Sequence, residues 1–354
     1  MSSKAGRRGG MPTINDVAQQ AGVSPMTVSR VINGEPNVRP ATRELVNKAV
    51  AALNYAPNPA ARSLASAARA RVGLLYANPS AGFLGEFLVG TLDQATHRNV
   101  QLVFEKCGAD EDGVDAARRL IADGIQGVVL TPPHCESPAV LEVFAEARVA
   151  TVLLATLKPI DGQLSVGIDD RRAAYEMTLH LLTQGHRRIG FIQGDPNLFA
   201  SAEREAGYFE ALEEARIARD DALVAPGRYD YRSGLEATER LLSIADRPTA
   251  IFASNDDMAA ASVAVAHRHG LDVPRDLTVC GFDDTALATA IWPELTTIKQ
   301  PIADMSRAAV EMLVDALRGN RPADGEESRR LLDFELIRRQ SDAPPKRKKR
   351  ARAT

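Results

Sequence analysis

The stretch between residues 13 and 33, TINDVAQQAGVSPMTVSRVIN, decides the structure of the N-terminal part of this 354-residue chain. Its first half places apolar residues at the spacing of one helical face, which predicts a short amphipathic helix. Gly22 then permits a turn that a side chain would crowd. Ser24 can cap a second helix, and Pro25 suits its first turn. Two short helices joined by a glycine turn predict a helix-turn-helix.

The second helix has an inner face, formed by Val28, Val31 and Ile32, and an outer face of mixed chemistry. The outward residues are Pro25, Met26, Thr27, Ser29, Arg30 and Asn33. In a helix-turn-helix, the N-terminal residues of the second helix meet base edges in the major groove, and an arginine can bond a guanine with two hydrogen bonds. The alternative of two merely packed helices is disfavoured because cap, turn and outward set agree. The stretch therefore predicts DNA binding.

A third apolar pattern, from Pro40 to Asn54, predicts a helix that closes a three-helix core. Its expected inner residues are Leu45, Val46, Ala49, Val50 and Leu53. Arg39 precedes this helix, so a hydroxyl cap is missing, and its side chain either contacts phosphate or stays solvated. Asn58 and Pro59 then begin a helix too short to persist alone in water, which we expect to fold only on DNA or in a dimer.

These motifs, in their order and spacing, resemble the LacI/GalR (lactose-repressor) family of transcription regulators. The resemblance rests on DVA at 16–18, AGVS at 21–24, TVSRVIN at 27–33, TR at 42–43, LNY at 53–55 and ARSL at 61–64. It implies that the hinge helices of two subunits enter the minor groove together and that Leu64 wedges between base pairs there. The expected DNA contacts are Thr13, Ser24, Pro25, Met26, Thr27, Ser29, Arg30, Asn33, Tyr55, Asn58, Ala61 and Leu64.

From Arg71 onward, patterns of buried strands and amphipathic helices alternate, and the alternation restarts after Asp169. This order is typical of parallel α/β sheets, and its repetition predicts two lobes with a ligand cleft between them. Expected helices are 85–98, 113–122, 172–184, 203–215 and 257–269. The resemblance continues through a crossover segment at 295–301 to about residue 341. The expected fold is therefore α/β: a three-helix headpiece and hinge helix, then a two-lobed periplasmic-binding-protein-like domain with parallel sheets.

Polar residues follow two of the predicted strands, and they supply an amide at Asn255 and a carboxylate at Asp283. Arg204, near the start of a helix, adds a guanidinium, and Phe83 could offer an aromatic face. Such donors and acceptors can bond several hydroxyls of one small polyol. Asp256 or Asp283 could instead only cap the segment that follows it. The resemblance implies effector-binding residues at Arg204, Asn255 and Asp283, and an aromatic stacking position at Phe83.

Enzyme signatures are missing from the chain. Dinucleotide and phosphate-loop glycine patterns and a hydrolase nucleophile elbow are absent, and the six histidines show no metal-ligand spacing. Cys107, Cys135 and Cys280 are widely separated, so we expect neither a disulfide framework nor a metal pair. No apolar run is long enough to span a membrane, and the basic start lacks a hydrophobic signal segment. We therefore expect no catalytic residue, no metal and no cofactor, in a protein of the cytoplasm that is associated with the nucleoid when bound.

Positive charge is concentrated at the two ends of the chain. Residues 1–64 hold eight Lys or Arg against three Asp or Glu, and residues 344–354 hold six against none, although the whole chain has a net charge of −3. Basic ends suit phosphate contact, while an acidic body avoids unspecific adhesion to nucleic acid. The tail either adds salt-sensitive DNA affinity or only solubilises the protein.

Five segments are expected along the chain. They are a disordered basic N-terminus (1–11), the helix-turn-helix domain (12–57), the hinge helix and linker (58–70), the two-lobed effector-binding and dimerisation domain (71–341) and a disordered basic tail (342–354).

The function predicted from the sequence is sequence-specific regulation of transcription. The expected partners are a palindromic double-stranded DNA operator, a sugar effector and a second copy of the chain, with no membrane. A homodimeric repressor of carbohydrate utilisation genes, released by the sugar, is the leading interpretation. The alternatives are a solute-binding transport protein and a regulator that responds to a non-sugar ligand such as a nucleobase. A transport protein would need a signal peptide and no headpiece, which is the reverse of this chain.

Overall fold

The computed structural model describes residues 12–32, 38–53, 55, 69–77, 79–107, 113–320 and 326–346. The chain divides into two compact units, residues 1–69 and residues 70–354.

The described residues of the first unit form three helices, α1 (Ile14–Ala21), α2 (Pro25–Ile32) and α3 (Pro40–Ala52). Thr13 caps α1 through a capping box, because its hydroxyl accepts from the backbone N–H of Asp16 while the Asp16 carboxylate accepts from the backbone N–H of Thr13. Gly22 then ends α1 in the left-handed region, at a φ of 68°. The turn between α1 and α2 thus uses a left-handed backbone conformation, which glycine adopts more readily than other residues.

The small core of this unit is made of six buried residues from all three helices. They are Val17, Ala18, Val28, Val31, Val46 and Ala49. Leu45 was expected on the inner face of α3 but is exposed. The buried residues of α3 are Val46 and Ala49, and Leu45 lies outside the face that these two residues form. Arg39 stands at the N-cap of α3 and makes no side-chain capping bond, as its chemistry predicts.

The second unit is built from two parallel sheets with helices packed on them. Its strands are β1 (Arg71–Tyr76), β2 (Gln101–Lys106), β3 (Gly127–Leu130), β4 (Ala150–Leu154), β5 (Leu164–Gly167), β6 (Ile189–Ile192), β7 (Val224–Ala225), β8 (Ala250–Ala253), β9 (Thr278–Asp283), β10 (Thr296–Lys299), β11 (Arg329–Leu331) and β12 (Glu335–Ile337). Its helices are α4 (Ala81–Arg98), α5 (Gly113–Ala122), α6 (Pro138–Glu146), α7 (Asp170–Thr183), α8 (Phe199–Glu214), α9 (Tyr231–Leu242), α10 (Asp256–Arg268), α11 (Ala286–Ala290) and α12 (Ile302–Leu317).

Each sheet has six strands and defines one lobe. The N-terminal lobe has the order β11-β5-β4-β3-β1-β2, and the C-terminal lobe has the order β12-β10-β9-β8-β6-β7. Neighbouring strands are parallel throughout, apart from the antiparallel pair of β10 and β12. The central strands are buried along their length because helices cover both faces.

The chain passes between the lobes three times. It leaves the first sheet after β5, returns after β10, and leaves again between β11 and β12. The return segment carries α12, which packs on α4 and on β3, β4 and β5 of the N-terminal lobe. The crossover expected at residues 295–301 needs correction, because Thr296–Lys299 form β10 of the C-terminal lobe and the chain passes between the lobes only after Lys299. The expected α/β class with parallel sheets is confirmed.

The starts of two predicted helices need correction. The helix expected at 85–98 begins at Ala81, because Ser80 accepts from the backbone N–H of Phe83 and caps it there. The helix expected at 203–215 begins at Phe199, which moves Arg204 from the first turn to the second.

The disordered tail predicted from residue 342 starts too early. The Asp342 carboxylate is buried against His180 and Thr296, and the backbone of Ala343 is bonded to Thr278. The Lys346 ammonium is paired with Asp276. These contacts fasten residues 342–346 to the C-terminal lobe, which charge and hydropathy alone do not reveal. Residues 347–354 lie outside the described residues.

Within the described part of the chain, no helix combines the length and the apolar character needed to cross a membrane.

Candidate functional site

Six of the twelve residues that the sequence assigns to DNA belong to α2 or to Ser24 directly before it. Ser24, Pro25, Met26 and Arg30 are exposed, and Met26 is 65% accessible. Ser24 also caps α2, since its hydroxyl accepts from the backbone N–H of Thr27 at 3.2 Å. The helix thus offers an apolar thioether, hydroxyls and a guanidinium on one surface.

The other expected DNA contacts fall into two groups. Thr13 is exposed and already holds the capping box of α1, while Tyr55 is half-buried and packs against the three-helix core. Asn33, Asn58, Ala61 and Leu64 lie outside the described residues. The DNA contacts expected on α2 therefore stay a prediction, and those expected in the hinge lie outside the described residues.

A cavity of about 190 Å³ lies between the two lobes at the carboxyl ends of their strands. It is lined by Ala77, Pro79, Ser80, Phe83, Pro132, Pro133, Ala155, Asp195, Leu198, Ala200, Arg204, Arg228, Tyr229, Asn255, Asp283 and Gln300. All four residues expected to bind an effector line this one cavity. Phe83 comes from α4 of the N-terminal lobe, and the other three come from the C-terminal lobe.

Arg204 is held rigidly at the wall of this cavity. Its Nε donates to Oδ1 of Asp170 at 2.8 Å and its Nη1 donates to the carbonyl of Ser254 at 2.6 Å. The guanidinium carbon lies 3.5 Å from the centre of the Phe282 ring, a cation–π contact. Burial raises the pKa of Asp170, and the adjacent guanidinium opposes that rise. Arg204 is thus oriented before any ligand arrives.

Asp283 ends β9 in an unusual backbone conformation. Its φ is 110° and that of Asp284 is 57°, so two successive residues other than glycine occupy the positive-φ region. The Asp283 carboxylate accepts from Nε2 of Gln300 at 2.9 Å, and burial raises its pKa well above the ordinary value. Gln300 lies in the crossover segment between the lobes. The strained turn therefore places the Asp283 carboxyl group in the cavity wall, where its hydrogen bond to Gln300 connects it to the crossover segment.

Asn255 has a structural task in addition to its place in the cavity wall. Its Oδ1 accepts from the backbone N–H of Met258 at 3.0 Å and caps α10, while its Nδ2 donates to the carbonyl of Tyr229 at 2.9 Å. The sequence left open that Asp256 caps the segment that follows it, but the residue that caps α10 is Asn255.

Asp256 is not among the residues that line the cavity, and it ties two segments of the C-terminal lobe together. Its carboxylate accepts from the backbone N–H of Thr285 and from the hydroxyl of Thr297, each at 2.7 Å. Burial raises its pKa to about 7, although the bonds from Thr297 and Thr285 act in the opposite direction. Asp256 therefore neither lines the cavity nor caps α10, and its role as a bridge to Thr285 and Thr297 differs from both alternatives that the sequence left open.

Five polar residues of the cavity wall were missed from the sequence, namely Ser80, Asp195, Arg228, Tyr229 and Gln300. Asp195 follows the end of β6. Asn255 and Asp283 were predicted because polar residues after parallel strands lie at the ligand site, and the same reason applies to Asp195. Ser80 and Arg228 stand in connections without a periodic pattern. Among the described residues, no cluster of His, Cys, Asp or Glu is suited to hold a metal ion.

Two family models match the chain. Residues 13–58 match the model for bacterial regulatory proteins of the lacI family, and residues 178–341 match the periplasmic binding protein-like domain. Catabolite control protein A of Priestia megaterium is 35% identical over 303 residues, which cover 85% of this chain and 91% of that protein. The chain belongs to the LacI family.

Solved structures of LacI-family regulators have the same architecture. The complex of the transcriptional regulator CelR with cellobiose has a TM-score of 0.71 and 33% identity, and the match covers 93% of this chain and 99% of that one. The lac repressor dimer bound to operator and the anti-inducer ONPF has a TM-score of 0.75 and 27% identity, and the match covers 94% and 99%.

Membership in the LacI family makes this protein a DNA-binding transcription regulator, as the sequence predicts. Its relatives are regulators without enzymatic activity, and the prediction that the protein is not an enzyme is confirmed. The alternative of a solute-binding transport protein is wrong, because the lacI-family match lies on the N-terminal headpiece, which such a protein would not need.

Proposed function

We propose that this LacI-family protein represses carbohydrate utilisation genes and is released from its operator when a small sugar binds between the lobes. The observation that carries the proposal is the single cavity that brings together Phe83, Arg204, Asn255 and Asp283. Residues far apart in the sequence converge there from both lobes, so a ligand in this place contacts both lobes at once. A ligand shifts an equilibrium only by its differential affinity for the two states, which is typically worth about 1–3 kcal/mol in allosteric proteins.

The chemistry of the cavity suits a polyol. Arg204 has five N–H donors, of which two are engaged by Asp170 and Ser254. The Asp283 carboxyl adds acceptors, and the buried ring of Phe83 offers an apolar face. A sugar presents hydroxyls that donate and accept as well as faces of C–H groups, which matches this combination. The cellobiose complex of a relative supports the same class of ligand.

The DNA side of the proposal rests on α2. Arg30 is proposed to bond a guanine in the major groove, with Met26, Thr27 and Ser29 beside it. A homodimer would place two such helices on a palindromic operator, and the operator-bound lac repressor dimer supports this assembly. The proposed hinge contacts Asn58, Ala61 and Leu64 rest on the family resemblance.

The test is a thermal-shift and calorimetric screen of the full chain against monosaccharides, cellobiose and nucleobases, followed by operator binding with and without each hit. We expect a sugar to stabilise the protein and to weaken operator binding. Asp283→Asn should lose most of the sugar affinity, while Asp161→Asn, which changes an exposed carboxylate outside the cavity, should keep it. Stabilisation by a nucleobase and by no sugar would favour the alternative effector class.

A further inference from the structure

Glu136 of the N-terminal lobe caps a helix of the C-terminal lobe. Its Oε2 accepts from the backbone N–H of Phe199, the first residue of α8, at 3.0 Å. Leu198 stands at the N-cap of α8 and has no side chain that can do this. The first N–H groups of a helix have no partner inside the helix. The N-terminus of α8 thus takes its partner from across the cleft.

The Glu136 side chain is fixed by its own lobe. The hydroxyl of Thr156 donates to Oε1 at 2.8 Å, and Nζ of Lys158 lies 3.8 Å from Oε2. Only 4% of the Glu136 side chain is exposed. If the lobes separated, these two interactions would remain with Glu136, whereas its hydrogen bond to Phe199 would break.

A second carboxylate makes the reciprocal contact. Oδ2 of Asp257, in the first turn of α10 of the C-terminal lobe, accepts from the hydroxyl of Ser80 at 2.6 Å. Ser80 is the N-cap of α4 in the N-terminal lobe. Helix N-termini carry a partial positive charge, so each carboxylate is placed where the helix of the other lobe favours an anion.

Both contacts lie at the cavity and hold helices that bear its lining residues. Ser80 and Leu198 belong to the cavity wall. The helix α4 carries Phe83, and α8 carries Arg204. Movement of the lobes that broke either contact would displace these side chains relative to one another.

We propose that Glu136 and Asp257 are a reciprocal pair of interlobe latches. Each is a positioning residue whose hydrogen bond to the opposite lobe stabilises the closed arrangement of the two lobes, and the pair thereby regulates opening of the cleft. The regulatory consequence rests on the proposed function, whereas the latching itself does not. Because each carboxylate bonds a group of the opposite lobe, both bonds form and break with the same movement, and loss of one weakens the other.

The amide of Phe199 reports on the first latch directly, since its helical position gives it no other backbone acceptor. Hydrogen exchange of the ligand-free full chain is measured by mass spectrometry on fragments covering residues 195–203. In Glu136→Ala we expect this amide to exchange at least tenfold faster than in the wild type. Glu136→Gln, which keeps an oxygen acceptor, should give a smaller increase and serves if the alanine variant does not fold. Glu142→Gln, an exposed carboxylate on α6, should leave the rate unchanged.

The decisive variant is Asp257→Ala, which removes the acceptor of the Ser80 hydroxyl and does not alter the Glu136 contact. If the two bonds share one closing movement, this variant should also speed exchange at Phe199 several-fold and enlarge the radius of gyration in X-ray scattering. Unchanged exchange in the Glu136 variants would overturn the proposal. So would an increase in those variants with none in Asp257→Ala, because Glu136 would then be a local cap only. No effector is present in these measurements, so they succeed or fail independently of the sugar screen.

Discussion

Arg204 and Asp170 form an ion pair beside the cleft in which both side chains are almost completely buried. Their exposed fractions are 6% and 8%, and Nε of Arg204 lies 2.8 Å from Oδ1 of Asp170. A buried pair of this kind contributes little net stability relative to apolar residues, but the removal of one partner leaves an uncompensated charge. A variant that removes only Arg204 or only Asp170 is therefore expected to lower the stability of the fold as well as to change the cleft.

Arg204→Ala should lower the free energy of unfolding of the second unit by about 3–5 kcal/mol, because Asp170 would stay buried without its partner. The double variant Arg204→Ala with Asp170→Asn should recover part of this loss, since the amide carries no charge. Urea denaturation of the three proteins measures both effects. Equal stabilities for the single and the double variant would contradict this account of the pair.

The parts of the site that the sequence reveals are those fixed by topology. Asn255 and Asp283 were predicted because polar residues at the carboxyl ends of parallel strands share one edge of a sheet. Arg204 was predicted from the resemblance and from its chemistry. The structure brings all three to one cavity, in agreement with the order of the strands.

The parts that the sequence does not reveal depend on distant partners. Glu136 lies in a three-residue helical turn without apolar periodicity, and it bonds a residue 63 positions away. Asp256 looks like a ligand-binding residue in the sequence, but Thr285 and Thr297 engage its carboxylate. Leu45 obeys the helical period of an inner face, and only the position of the other two helices turns it outward. Local sequence patterns predict helices and strands, whereas the contact partners of a side chain can be identified only once the fold is known.

Gly82 of α4 approaches Thr285 of the C-terminal lobe so closely that a side chain would push the lobes apart. A Cβ at Gly82 would lie 2.7 Å from Cβ of Thr285, and Thr285 cannot easily yield because Asp256 bonds its backbone and its hydroxyl. Gly82→Ala should therefore open the cleft, which small-angle X-ray scattering would show as a larger radius of gyration.

Gly85 supplies the matched control for that substitution. It lies on the same helix with no atom within 4 Å of an added Cβ. Gly85→Ala should leave the scattering unchanged and stabilise α4 by about 0.5–1 kcal/mol, since alanine is the better helix former. Identical scattering curves for the two alanine variants would argue against close packing of the lobes at Gly82.

Arg30→Ala should reduce discrimination between the operator and sites mutated at one base pair by about 1–3 kcal/mol, the usual value of a bidentate contact to a base. Fluorescence anisotropy at one fixed salt concentration measures the ratio of affinities. Arg39→Ala removes an exposed cation at the start of α3, where only phosphate contact is expected. That variant should weaken binding to all sequences equally or not at all. A preserved ratio in Arg30→Ala would rule out base readout by this residue.

The Asp342 carboxylate should make the attachment of the C-terminal segment sensitive to acid. Burial by itself would raise the pKa of Asp342, but hydrogen bonds from His180, Thr296 and Gln184 outweigh that effect and hold it well below the ordinary value. A carboxylate with a lowered pKa stabilises the folded state above its unfolded pKa of about 3.9, and this contribution is lost as the pH falls through the folded pKa. Asp342→Asn should therefore be less stable than the wild type at pH 7. In urea denaturation the difference between the two proteins should shrink steadily below about pH 4. A difference that stays constant down to pH 3 would mean that the charge of Asp342 does not hold the segment.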